Sequence, residues 1–269
     1  KRRSQLGQNS EIGILVVDLA NGAELASHSA DKALIPASTV KVVLSAAALK
    51  LLGSDYRYPT EIFSSRQLDA NGSVGDLYLR GYGDPTLTSE RLWSLAQTLA
   101  SRGIKKIDNL LIDDTLFVDP PPPTGTRAYE AGASATALNH NCYAINIATV
   151  PGHSRALISL TAGLNFNIEN NLRLVSGSKQ EVALIQSPPV HILSQRPRSA
   201  LADEPLALNP PSVTMRVSGE FGTANRAITY YHTIATPADY IGQVLAHTFN
   251  QVGIQLLGQI SKAEVPKGM

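Results

Sequence analysis

Cysteine is almost absent from this chain, with Cys142 the single one among 269 residues. One thiol excludes a disulfide within the chain and a zinc site built from several cysteines. Excess charge of either sign is also missing, since 23 Lys and Arg residues face 22 Asp and Glu residues, a net charge of +1. Proteins that bind nucleic acid through a basic surface carry a clear excess of Lys and Arg. We therefore expect no nucleic-acid partner.

Long hydrophobic runs are missing as well. Residues 12–17 and 42–52 form the longest runs, and both are shorter than the roughly 18 apolar residues of a membrane-spanning helix. The basic residues 1–3 precede polar residues 4–10 rather than the apolar region of a signal peptide. The sequence thus predicts no transmembrane segment. It leaves open whether the basic start is a frayed terminus or the beginning of a mature exported chain.

The first part of the chain has the pattern of a hairpin followed by a helix. Two short β-branched runs flank Asn21-Gly22, a dipeptide typical of hairpin turns. From Val40 to Leu52, apolar residues recur every three or four positions. This spacing predicts a helix with one wide apolar face, starting near Ser38 and stopping at Gly53. We expect this helix to be centrally buried.

Beyond residue 60 the sequence is rich in short β-type segments divided by Pro and Gly. One helix is predicted after the potential cap Thr88, and another at residues 237–251, followed by a strand near residues 255–260. Residues 143–217 have the texture of a small β-subdomain. The long β-rich stretch therefore looks like an insertion between two parts of one framework.

Ser38-Thr39-Val40-Lys41 is the strongest candidate for chemistry. Residues at i and i+3 share one face of a helix, with Cβ atoms about 5–6 Å apart. A lysine amine at that distance can take the serine proton once its pKa is lowered, and the helix N-terminus stabilises nearby negative charge. These are the parts of a Ser-Lys acyl-transfer centre, in which serine attacks a carbonyl carbon.

The other candidates are weaker. Ser176 and Lys179 repeat the spacing, but they lie in a Gly/Ser-rich turn with no apolar helix after it, so we interpret this copy as a chance match. The six histidines show no pair at helical spacing, and no nucleophile-elbow motif occurs, although spacing alone does not exclude a Ser-His-Asp triad. The sequence therefore predicts no metal and no cofactor.

Several stretches together resemble the D-alanyl-D-alanine carboxypeptidase/endopeptidase family of class C low-molecular-mass penicillin-binding proteins, the type-4 group. In chain order they are residues 34–41, 56–58, 75–87, 107–117, 139–143 and 238–253. The Pro-Ala-Ser-Thr-x-Lys and Gly-Asp-Pro-Thr-Leu stretches make the resemblance specific. It implies that Ser38 is the acylated nucleophile and Lys41 its base. It also implies peptidoglycan stem peptides and their cross-links as substrates, with β-lactams as mimics that acylate the serine.

Two motifs of that family are missing. No Ser-x-Asn and no Lys-Thr-Gly sequence occurs in the chain, although the family uses both after its insertion. Loss of one oxyanion donor alone costs about 2.7–4 kcal/mol of transition-state stabilisation. We therefore expect these residues to be the N-terminal part of a longer chain.

The resulting fold prediction is an α+β multidomain protein with a serine β-lactamase/D,D-peptidase (transpeptidase-like) domain interrupted by inserted, mostly-β domains and lacking its C-terminal half. Residues 1–60 would begin the transpeptidase-like domain, 61–231 would form one or two inserted domains, and 232–269 would return to the first domain. The resemblance implies a periplasmic or otherwise exported protein of the cell envelope, with peripheral envelope association left open.

Three functional hypotheses stay open at this point. The first is a serine D-Ala-D-Ala carboxypeptidase/endopeptidase that binds penicillin. The second is a catalytically inert fragment that binds peptidoglycan or a partner. The third, a minor one, is a protein whose missing half is supplied by another chain.

Overall fold

The computed structural model of the chain describes residues 10–160, 166–187 and 213–269. The chain divides into two compact units, Lys1–Arg57 and Tyr58–Met269. We call them the serine unit and the large unit, and each is described by itself. Parts of the predicted β-subdomain, residues 161–165 and 188–212, lie outside the described residues.

The serine unit contains a hairpin and a helix. Strands β1 (Ile14–Val17) and β2 (Glu24–His28) pair antiparallel, with an irregularity between Val16 and Val17. Helix α1 (Val40–Leu52) ends at Gly53, whose φ of +81° suits a residue without a Cβ atom. The predicted hairpin, helix and stop are therefore confirmed.

The predicted burial of α1 is wrong for this structure. No residue between 10 and 57 is buried, and Val42, Val43 and Leu51 are 72%, 70% and 80% exposed. The apolar pattern predicted the helix correctly, but a single two-stranded hairpin is too small to bury the apolar face of a 13-residue helix.

The large unit is built around a four-stranded sheet. Its strands and those of a small accessory sheet are β3 (Thr60–Ser64), β4 (Leu77–Gly81), β5 (Lys106–Ile107), β6 (Leu110–Asp113), β13 (Gln255–Leu256) and β14 (Ile260–Lys262). The order is β14-β6-β4-β3, with β14, β6 and β4 parallel and β3 antiparallel at the edge. Beside it, β5 and β13 pair in parallel.

Two helices complete this framework, α2 (Ser89–Ser101) and α3 (Pro237–Gln251). They pack on each other, and α3 also packs on β6 and β14. The inner strand residues Leu79 and Ile112 are almost completely buried, as are Leu92 of α2 and Leu245 of α3. The parallel strands with crossover helices therefore provide the main hydrophobic core.

The rest of the large unit is β structure. The strands are β7 (Cys142–Ala148), β8 (Leu157–Leu160), β9 (Phe166–Val175), β10 (Gln180–Ser187), β11 (Val213–Gly222) and β12 (Ala227–Thr233). They form two sheets, ordered β12-β7-β8 and β10-β11-β9. Tyr143 of β7 contacts Phe166 of β9 and Gln186 of β10, so the two sheets meet at this side chain.

Residues 232–269 belong to the same compact unit as residues 61–113. Ile260 pairs with Leu110, and the backbone N–H of Val265 donates a hydrogen bond of 2.9 Å to the Asp113 carboxylate. The return of residues 232–269 to the transpeptidase-like domain stays a prediction. In this structure the segment packs on β6, which the same prediction places in the insertion.

Candidate active site

Ser38 and Lys41 come together at the start of α1. Ser38 lies in a short 3-10 turn, Ala37–Thr39, and Lys41 follows in the first turn of the helix. The Lys41 Nζ donates a hydrogen bond of 2.9 Å to the Ser38 Oγ. The spacing of three residues therefore produces the side-chain contact that the sequence predicts, while both residues are exposed.

The turn that carries Ser38 is held by local backbone geometry. Ala37 has a φ of +45°, a left-handed conformation that is unfavourable for a residue with a Cβ atom. The N–H of Thr39 donates a 3.0 Å hydrogen bond to the Pro36 carbonyl, and the Thr39 hydroxyl donates to the same oxygen. These two bonds close the turn around Ala37 and Ser38.

The contact between Ser38 and Lys41 is suited to proton transfer. A neutral amine at the Lys41 position could accept the Ser38 proton if the Ser38 oxygen attacked a carbonyl carbon. The free N–H groups at the start of α1 lie beside this serine and favour negative charge there. Within the described part of the chain, Lys41 is the one side chain hydrogen-bonded to the Ser38 hydroxyl.

The second Ser-x-x-Lys sequence has no such contact. Residues 176–179 form the connection between β9 and β10, as the sequence predicts. The Lys179 Nζ lies 2.6 Å from the Glu220 carboxylate and 3.0 Å from that of Glu181. Lys179 is thus engaged in ion pairs on the sheet surface rather than with Ser176.

The sequence matches a family profile along almost its whole length. The profile described as the D-Ala-D-Ala carboxypeptidase 3 (S13) family matches residues 4–269. The chain belongs to this family. The predicted family is thereby confirmed, and the S13 profile covers both units of the structure.

Two curated relatives of the chain are named D-alanyl-D-alanine carboxypeptidases. The S13 chain is 28% identical over 267 residues to a D-alanyl-D-alanine carboxypeptidase of Actinomadura sp. (strain R39), covering 94% of this chain and 46% of that protein. It is 27% identical over 146 residues to the D-alanyl-D-alanine carboxypeptidase DacB of Haemophilus influenzae, covering 52% of this chain and 30% of the relative. The chain thus spans less than half the length of these relatives.

Solved structures show the same fold. Penicillin binding protein 4 (dacB) of H. influenzae matches with a TM-score of 0.70 and 19% identity, over 98% of this chain and 56% of that chain. The same protein complexed with a novel β-lactam matches with a TM-score of 0.64 and 20% identity, over 98% and 54% of the two chains. The likeness confirms the predicted α+β fold class of the S13 chain.

Sequence reasoning missed a buried carboxylate in the large unit. Asp113, at the end of β6, is 1% exposed and accepts hydrogen bonds from Thr115 N and Oγ1 and from Val265 N, with the Arg80 Nε 3.2 Å away. Burial raises the pKa of Asp113, but these hydrogen bonds and the Arg80 charge outweigh it and hold that pKa below its ordinary value. The Asp113 carboxylate thus connects β6 with Arg80 of β4 and with Val265 near the end of the chain. No local sequence pattern predicts these contacts.

The lone cysteine of this S13 chain is a packed side chain. Cys142 is 1% exposed at the start of β7, and burial raises the pKa of its thiol to about 11. A protonated, enclosed thiol is a poor nucleophile. Among the described residues no group of three or more His, Cys, Asp or Glu side chains is placed to hold a metal ion, and no described helix is long and apolar enough to span a membrane.

Proposed function

We propose that this chain carries the acylating serine of a D-Ala-D-Ala carboxypeptidase/endopeptidase acting on peptidoglycan stem peptides. The observation that carries the proposal is the 2.9 Å contact between Lys41 Nζ and Ser38 Oγ at the start of a helix. Membership of the S13 family supports the reaction class. The name and the β-lactam complex of the H. influenzae homologue support β-lactams as ligands.

In the proposed reaction, the Ser38 oxygen attacks the carbonyl carbon of the penultimate D-alanine. Lys41 as a neutral amine takes the Ser38 proton, and the leaving D-alanine amine takes a proton as the peptide bond breaks. The resulting ester on Ser38 is cleaved by water, which regenerates the hydroxyl and releases the shortened peptide. A β-lactam would acylate the same oxygen by opening its ring.

The domain arrangement is part of the proposal. The serine unit would belong to the transpeptidase-like domain and residues 61–231 to its insertion, and the packing of 232–269 favours placing that segment with the insertion as well. The exposed apolar residues of α1 would be covered in the whole protein by chain outside these 269 residues. Such a face costs free energy while it is exposed to water. We further propose an exported protein of the cell envelope.

Labelling with a fluorescent penicillin tests the nucleophile. We expect the complete protein to be labelled, and Ser38→Ala to abolish labelling because it removes the attacking oxygen. Ser176→Ala is the matched control, since it changes the serine of the second Ser-x-x-Lys sequence, and it should label like the wild type. Persistent labelling of Ser38→Ala would contradict the assignment.

The inert binding module remains a second candidate for the 269-residue chain, because the large unit has its own core while no described residue of the serine unit is buried. Intact-mass measurement after incubation with a β-lactam separates the two functions. Without the two missing motifs, acylation should be at least about 100-fold slower than in the complete protein. A stoichiometric adduct formed at the full rate would rule out the inert fragment.

A further inference from the structure

A cavity opens where the β12-β7-β8 sheet and the β10-β11-β9 sheet meet the start of α3. It is lined by Tyr143, Phe166, Gln186, residues 233–235 and Tyr240. The cavity has about 280 Å³ of empty space, part of which is open to solvent. Its narrow part leaves only about 20 Å³ in which the centre of a water-sized group can lie. The narrow part therefore takes one group the size of a water molecule or a methyl, and the rest of the ligand would lie at the open mouth.

Aromatic rings form one wall of this cavity. The ring centroids of Tyr143 and Phe166 are 5.3 Å apart, and the His232 ring, which does not line the cavity, stacks on Tyr143 with a centroid distance of 5.3 Å. Tyr143 and Tyr240 are 1% and 2% exposed. Closely packed rings of this kind make a rigid apolar surface against which a methyl group can lie.

Hydrogen bonds hold the polar side chains of the cavity, and each of these side chains has a further donor or acceptor atom. The Tyr143 hydroxyl donates a 2.7 Å hydrogen bond to Gln186 Oε1, and the Asn139 amide donates a 2.9 Å hydrogen bond to the Tyr240 oxygen. Gln186 and Tyr240 are acceptors in these two bonds, so the Gln186 N–H groups and the Tyr240 hydroxyl proton are donors that neither bond uses. The oxygen of Tyr143 remains able to accept.

We propose that this cavity is a subsite for a secondary amide that carries a methyl group. The amide oxygen would accept from Gln186 or Tyr240, the amide N–H would donate to the Tyr143 oxygen, and the methyl would lie on the aromatic wall. The proposal rests on the proposed function, because peptidoglycan presents this chemistry twice, in the acetamido groups of its sugars and in its alanyl peptides. The large unit would then hold the polymer by a group that the reaction leaves unchanged.

Nuclear magnetic resonance titration of the 269-residue chain tests the subsite. The probes are chitobiose, which has acetamido groups, cellobiose, which has hydroxyls in their place, and N-acetyl-L-alanine methylamide. We expect chitobiose or the alanyl amide to shift the Gln186 side-chain signals, and cellobiose to bind about tenfold more weakly or not at all. The probe that binds more tightly identifies the sugar or the peptide as the source of the amide.

Gln186→Leu and Tyr240→Phe should each weaken the bound probe about fivefold or more, since each removes one donor. Gln97→Leu, on the exposed face of α2, is the matched control and should bind like the wild type. Equal binding of cellobiose, no shift with either amide, or an unchanged affinity of a folded Gln186→Leu protein would overturn the subsite. None of these results affects penicillin acylation of Ser38, so failure of the subsite is distinguishable from failure of the proposed function.

Discussion

The two units of this chain obtain their structure in opposite ways. The serine unit relies on local order, with a hairpin, a closed turn and one helix, and no described residue in it is buried. The large unit relies on a shared core in which strands from distant parts of the chain and two helices enclose side chains such as Leu79, Ile112 and Leu245. The candidate nucleophile is therefore placed by local geometry, with no buried side chain among the described residues of its own unit.

The largest expected effect comes from removing core volume in one unit and not in the other. Leu245→Ala in α3 should lower the free energy of unfolding of the large unit by about 2–5 kcal/mol, because it leaves a cavity in a closed core. Leu49→Ala in α1, where the side chain is 62% exposed, should cost no more than about 0.5 kcal/mol.

Urea unfolding measures both changes. Fluorescence of Trp93, which lies on α2, follows the large unit, and far-ultraviolet circular dichroism follows the helices of both units. Equal losses for Leu49→Ala and Leu245→Ala would show that α1 is buried in solution, and the contrast between the units would then be wrong.

A smaller effect is expected at Asp113. Asp113→Asn removes the charge that faces Arg80 and should destabilise the large unit by about 1–3 kcal/mol near neutral pH. Because the folded-state pKa is lowered, this stabilisation is present above the unfolded pKa of about 3.9 and is lost as the pH falls through the folded pKa.

Unfolding free energies of both proteins from neutral pH downward measure this dependence. The difference between wild type and Asp113→Asn should shrink as the solution becomes more acidic than about pH 4. Asp31→Asn, at an exposed position of the serine unit, is the control and should change little at any pH. A difference that grows toward low pH would contradict the assigned sign.

A local effect is expected at Ala37, where the backbone is left-handed. Ala37→Val should slow penicillin acylation of the complete protein about 5- to 30-fold, because a β-branched side chain adds about 1–2 kcal/mol of strain to the cost that Ala already pays in this left-handed conformation. Ala37→Gly removes that cost and should keep the rate. Stopped-flow acylation measures both variants, and an unchanged rate for Ala37→Val would mean that Ser38 does not depend on this turn.

The smallest effect concerns thiol reactivity. Cys142 should not react with a thiol reagent near neutral pH in the native state, because burial raises the pKa of its thiol to about 11. Ser45→Cys places a thiol at an exposed position of α1, and this new thiol should react within minutes. Rapid labelling of native Cys142 would mean that the large unit opens readily. The proposed difference between a closed large unit and an exposed serine unit would then be wrong.

Local features of the serine unit and of the turns were predictable from the amino-acid sequence. The ends of α1 follow from apolar spacing and from Gly53, and the contact of Lys41 with Ser38 follows from the spacing of three residues at the start of a helix. The connection at residues 176–179 was predictable for the same reason, since Gly and Ser stop regular structure. Short-range geometry of this kind is set by neighbouring dihedral angles.

Burial and the contacts between distant residues follow from how whole elements pack in three dimensions. The pairing of Ile260 with Leu110, the hydrogen bond from Val265 to Asp113 and the cavity beside Tyr143 join positions far apart in sequence. Such contacts depend on the packing of whole elements, which a periodic pattern does not specify. The same reason applies to α1, whose apolar spacing predicts a helix correctly, whereas the exposure of that helix depends on the elements packed around it.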